Sequence, residues 1–125
     1  MKKLIYALSA YFLITGLYLL FAPHYFYQNT PGLTLMGPFN FHFIRDISAT
    51  FVVAGAGLFW GMRNQNKAVI VFGAAWPFLH SLIHIQVWIG RDFILDFITL
   101  FDFFAVLVPG WLALWASTRL SEFDN

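Results

Sequence analysis

Four stretches of this chain are apolar almost without interruption for about twenty residues each, the length a helix needs to cross a bilayer core roughly 30 Å thick. They cover residues 4–22, 43–62, 68–89 and 93–118. Pro23 closes the first, and the connections are 23–42, 63–67 and 90–92. A water-soluble bundle of the same four segments would have to present mostly Phe, Leu and Ile to solvent. Only 10% of the residues are charged and 60% are hydrophobic, against about a quarter and about a half in a soluble domain. The chain has too few charges to cover a wetted surface. The sequence therefore predicts an all-α, polytopic membrane four-helix bundle, with residues 1–125 forming one four-span domain.

Lys2 and Lys3 ahead of an apolar run resemble the start of a signal peptide. The run is longer than a typical h-region and no small-x-small cleavage site follows at a fitting distance, so it reads as an uncleaved first span. Orientation follows from the loop cations. Lys2, Lys3, Arg63, Lys67 and Arg119 fall on one side; Arg91 and Arg45 fall on the other. Both termini are expected in the cytoplasm of a bacterial cell, with the protein multi-pass in the inner membrane. The 23–42 loop and the 90–92 turn then face outward. That long loop is rich in aromatics. Tyr25, Phe26 and Tyr27 suit an interfacial belt, Pro31-Gly32 and Gly37-Pro38 mark turns, and Asn40 is placed to cap the second helix. The loop is expected to fold back over the outer helix ends.

A net charge of +1 gives no footprint for nucleic acid. The absence of cysteine excludes disulfides, thiolate nucleophiles, Cys-ligated zinc and iron–sulfur clusters. Chemistry must come from the other polar residues, and the stretch FNFHFIRDIS at 39–48 concentrates them. On a helix beginning near Phe41, His42, Arg45, Asp46 and Ala49 share a face. Arg45 and Asp46 are sequence neighbours and do not face each other, so each is expected to find a partner on another helix. His80 and His84 lie one turn apart on the third span, about 6 Å along its axis. On the fourth span Asp96 falls at the depth of His84, and Asp102, lower down, at that of His80.

Every ionisable residue within the spans thus falls in the outward half, although an ionised side chain in mid-membrane costs roughly 2.5–3.5 kcal/mol on insertion scales. One shared cluster is expected: Arg45, Asp46, His80, His84, Asp96 and Asp102, with His42 as a lid. Arg45 would pair with Asp96 or Asp102, and Asp46 with His80 or His84. Pro77 removes a partner from the Gly73 carbonyl and should kink the third span. Pro109-Gly110 should bend the fourth below Asp102. Gly57 and Gly61 form a GxxxG, a pattern of close helix contact.

The segment PHYFYQNTPG…GPFNFHFIRDISA, with HSLIH in the third span, resembles a group of small, uncharacterised bacterial four-helix membrane proteins that are DoxX-like in size and layout. Pro31, Gly32, Gly37, Pro38, Phe39, Asn40, His42, Phe43, Arg45, Asp46, His80 and His84 match the group's pattern. Ser48 stands where a small Gly is expected, and the fourth span matches only in being apolar. The resemblance implies the four-helix layout and no reaction.

Several readings of the cluster stay open. His80 and His84 with Asp96 and Asp102 suit a divalent metal ion, and these ligand types do not choose among Zn, Cu, Fe and Mn. Arg45 and Asp46 suit a polar ligand such as a quinone head group or a lipid phosphate. Haem would use His42, His80 or His84, although two of these share a helix. The same residues also suit a purely structural network. Ion conduction lacks polar residues in the inner half, and Ser81 stands in no G-x-S-x-G elbow. The expected function is therefore an integral membrane protein whose outward-half cluster binds a metal ion or small polar ligand. It would be more an accessory to another membrane protein, or a self-associating one, than an enzyme. The alternatives are a redox enzyme subunit using quinone, haem or metal at the same residues, and an interaction protein.

Overall fold

A computed structural model describes residues 1–120. Among them the chain forms α1 (Lys2–Phe21), α2 (Pro23–Asn29), α3 (Phe41–Arg63), α4 (Lys67–Gly90) and α5 (Phe97–Thr118). A single 3₁₀ turn, Leu33–Leu35, lies between α2 and α3. All but α2 are long and apolar enough to cross a membrane, as the sequence predicts. Around the bundle α1 packs on α3, α3 on α4, α4 on α5, and α5 returns to α1.

Local chemistry sets the helix limits. Asn40 caps α3, its Oδ1 accepting from the Phe43 N–H at 3.0 Å, and Asn66 caps α4 the same way through Val69 at 3.1 Å. Each satisfies an N–H that the first turn leaves without a partner. Asp96 caps α5 through the Thr99 N–H at 3.0 Å. The fourth span therefore starts later than the sequence reading places it, and the turn before it covers 91–96.

The α1–α3 contact is the most extensive in the bundle and rests on small residues. The Ser9 hydroxyl donates to the Gly55 carbonyl at 2.7 Å, and the Ser48 hydroxyl to the Gly16 carbonyl at 2.8 Å. A Cβ on Gly55 would stand 2.8 Å from the Leu13 nitrogen and the Ser9 oxygen. Apolar helices in lipid gain little from further burial of oily surface, so close backbone approach and interhelical hydrogen bonds carry more of the association. The GxxxG glycines serve the next contact. Gly57 lies against Gly73, and a Cβ on Gly61 would come within 3.0 Å of the Ile70 nitrogen.

The two prolines have different outcomes. α4 runs on as α-helix through Pro77. Ahead of Pro109, α5 opens into a π-helical stretch, Phe103–Leu107. Pro109 has no N–H to give the Ala105 carbonyl four residues earlier; the Tyr11 hydroxyl of α1 donates to that carbonyl at 2.5 Å.

The dry core occupies one half of the bundle. Ile5, Leu8 and Phe12 of α1 meet Leu58 and Met62 of α3, Ile70 and Ala74 of α4, and Ala113 and Ala116 of α5. All lie toward the end that carries Lys2 and Arg63. The other half holds Arg45, Asp46, His80, His84 and Asp102. The 23–42 segment closes that end with a short helix and ring contacts. His24 stacks on Phe39 at 3.8 Å, Tyr18 meets Phe26 edge-on, and the Tyr27 hydroxyl donates to the Gly37 carbonyl at 2.7 Å.

Candidate functional site

The seven polar residues singled out from the sequence do not form one cluster. They form three groups, and the division follows from which helices touch.

The first group stays on α3. His42 Nδ1 lies 2.8 Å from Asp46 Oδ2, with both side chains largely exposed, at 86% and 65%. They stand at i and i+4, where helix neighbours meet. The Arg45 guanidinium sits 4.2 Å from the centre of the Phe41 ring, a cation–π contact. The expected pairings of Arg45 with Asp96 or Asp102, and of Asp46 with His80 or His84, are thus replaced by contacts within one helix. Arg45 is out of reach of Asp96 and Asp102 because α3 packs against α1 and α4 and they belong to α5; Asp46 misses the α4 histidines because its side chain stands largely exposed rather than in the α3–α4 contact.

The second group is the 91–96 turn. Arg91 and Asp96 form a two-pronged ion pair, the fork geometry that guanidinium and carboxylate favour. Thr99 adds its N–H and hydroxyl to Asp96. These hydrogen bonds, the Arg91 contribution first, hold the Asp96 carboxyl down at about 2. Asp92 and Phe93 take left-handed φ angles of 54° and 56°, a costly conformation for side-chain-bearing residues. The turn is tied at Ile94, whose carbonyl accepts from the Trp88 indole at 3.0 Å and the Thr99 hydroxyl at 2.7 Å. Asp96 is therefore a cap and rim residue, and it leaves the expected metal set.

The third group lies between helices. His84 Nδ1 of α4 stands 3.1 Å from Asp102 Oδ2 of α5, with side-chain exposures of only 25% and 19%. Asp102 is the residue at which the π-helical stretch begins, and such stretches are frequent at functional sites. Nδ1 itself is buried and makes no hydrogen bond, since the carboxylate is near but not aligned for one. His80 adjoins this pair, its ring centre 4.8 Å from that of His84. Trp76 stacks on His80 at 4.8 Å and 11°, and Phe51 of α3 meets it edge-on at 5.8 Å. The group sits where the dry core ends, with an aromatic wall on its α3 side.

Two imidazoles and one carboxylate can donate and accept hydrogen bonds and exchange protons with a small polar molecule. Among the described residues no group of three or more His, Asp or Glu is placed to hold a metal ion. Of the expected metal set, Asp96 is turned to Arg91, while His80, His84 and Asp102 stay together. The histidines do not stand as paired haem ligands. Axial ligands approach iron from opposite faces of the ring, whereas His80 and His84 lie side by side and His42 is committed to Asp46.

Two positions that shape the site escaped the sequence reading. Tyr11 serves the α5 irregularity from another helix; the signal was Pro109 itself, whose orphan carbonyl requires a donor. Ser48, noted only as a departure from glycine, is fully buried and ties α3 to α1. No protein-family model, curated protein sequence or solved structure matches this chain.

Proposed function

We propose that this chain is a small multi-pass protein of the bacterial cytoplasmic membrane, both termini cytoplasmic, that binds a small polar ligand at His80, His84 and Asp102 in its outward half. The observation that carries this reading is the buried His84 Nδ1, without a hydrogen bond and 3.1 Å from a half-buried carboxylate. Buried polar atoms are nearly always bonded, and leaving one unmade costs about 1–3 kcal/mol. A ligand that accepts from one imidazole and donates to Asp102 would add hydrogen bonds that the pair alone leaves unmade. The resemblance to DoxX-like four-helix proteins supports the layout.

A structural reading has its own support, since the same pair ties two adjacent helices. Breaking a buried pair from one side is costly. Native mass spectrometry of protein released from its membrane separates the two, with elemental analysis run alongside. The binding reading predicts an adduct on wild-type chain that is lost in both His84→Ala and Asp102→Asn and kept in Arg45→Gln. A bare wild-type chain, together with a lowered melting temperature in Asp102→Asn, would leave only the structural role. Stoichiometric metal would contradict the reading from the other side.

A further inference from the structure

A second region lies on the outer side of α3 and α4 and adjoins the first at Trp76. A groove of about 630 Å³ runs between these helices. Ala54, Gly57 and Gly73 form its floor, and Phe72 and Trp76 its far wall. Ala49 ends it on the side toward the 23–42 segment. One helical turn above Ala49, about 6 Å along the axis, stands Arg45. There a smaller hollow of about 270 Å³ is lined by Phe41, His42, Arg45 and Asp46.

We propose that this paired groove and hollow bind one phospholipid with a phosphoethanolamine head group, an acyl chain in the groove and the head group between Arg45 and Asp46. The charges decide the head group. Arg45 has no carboxylate partner among the described residues and rests on the Phe41 ring, so its N–H donors remain available to a phosphate. Asp46 uses one oxygen toward His42, and a carboxylate has a second to offer. Opposite charges side by side in one hollow complement a zwitterion whose phosphate and primary ammonium are a short chain apart. A phosphocholine head group carries no N–H for Asp46, and a phosphoglycerol head group carries no cation at all. The small floor residues leave room for a chain, where a row of Leu would fill the groove. The span from Arg45 to Gly57, twelve residues or about 18 Å, is a little more than half the roughly 30 Å hydrocarbon core, the reach of one leaflet's chain.

The test uses delipidated full-length protein titrated with phosphatidylethanolamine, phosphatidylcholine and phosphatidylglycerol of identical chains, followed by native mass spectrometry. Phosphatidylethanolamine should bind at least about 5-fold more tightly than either of the others. Arg45→Gln, which removes the phosphate donor common to the three, should weaken all of them. Asp46→Asn should erase the preference over phosphatidylcholine without weakening phosphatidylglycerol. Ala49→Phe, at an exposed position outside the core, should weaken all three. Asp102→Asn should change none of them, which separates this site from the His84 group. Equal affinity for the three lipids, or an Arg45→Gln protein that binds like wild type, would overturn the proposal. So would a two-chain species that appears in place of lipid adducts, since the groove would then seat a second copy.

Discussion

Ser9 and Gly55 face each other across the α1–α3 contact with a 2.7 Å hydrogen bond between them, and Ser48 and Gly16 repeat the arrangement in the opposite sense at 2.8 Å. Ser and Gly are seven residues apart in each helix, 9 to 16 and 48 to 55, which is close to two turns. The two helices thus exchange hydroxyl for carbonyl at both ends of one close contact. Gly55→Ala places a methyl 2.8 Å from backbone atoms of α1. Such overpacking typically costs about 1–3 kcal/mol. Gly90→Ala meets nothing within 4 Å and should stay within about 0.5 kcal/mol of wild type. Unfolding in mixed detergent measures both.

The Tyr11 hydroxyl is the donor for the Ala105 carbonyl, and phenylalanine keeps the ring while removing it. Tyr11→Phe should destabilise by about 1 kcal/mol, the typical net worth of one hydrogen bond, here to a half-buried acceptor. Hydrogen exchange at the amides of 106–112 should rise with it. An unchanged exchange pattern would mean that the π-helical stretch satisfies itself.

The Arg91–Asp96 pair gives the turn at that end a defined pH response. Asp96 is held at about 2 in the folded protein, below its ordinary value near 4. A lowered carboxyl contributes stability above the unfolded value and loses it as pH falls through the folded one. The turn should therefore be unaffected above pH 5 and loosen between about pH 4 and 2. The indole N–H resonance of Trp88, bonded to Ile94 in the same turn, reports it. In Asp96→Asn the resonance should already be shifted at neutral pH and lose its acid transition.

The four spans and the Asn40 cap were legible because hydropathy and capping are local properties. The segregation of ionisable residues into one half was legible too, as a matter of counting turns. The pairings were not. His42–Asp46 is an i, i+4 contact, whereas a charge at the mouth of an apolar span suggests for Asp46 a partner on another helix, with His42 a lid; their exposure shows that neither is drawn into the bundle. Asp96 three residues before Thr99 carries the spacing of an N-cap, which the long apolar run around it obscured. The order of helices around the bundle depends on which small residues meet, such as Gly16 with Val52 and Gly110 with Pro77. Hydropathy does not encode that order, and without it His84 cannot be assigned to Asp102 ahead of Asp46.

The account rests on one topological claim: the end of the bundle that holds His84, Asp102 and Arg45 faces away from the cytoplasm. The chain has no native cysteine, so single probes at Thr34 and Asn64 are clean reporters of the two ends. Intact cells carrying Thr34→Cys or Asn64→Cys, treated with a membrane-impermeant maleimide, test the claim directly. Labelling of Thr34→Cys before lysis, and of Asn64→Cys only after it, is the predicted result. The reverse pattern, or labelling of both before lysis, would contradict it.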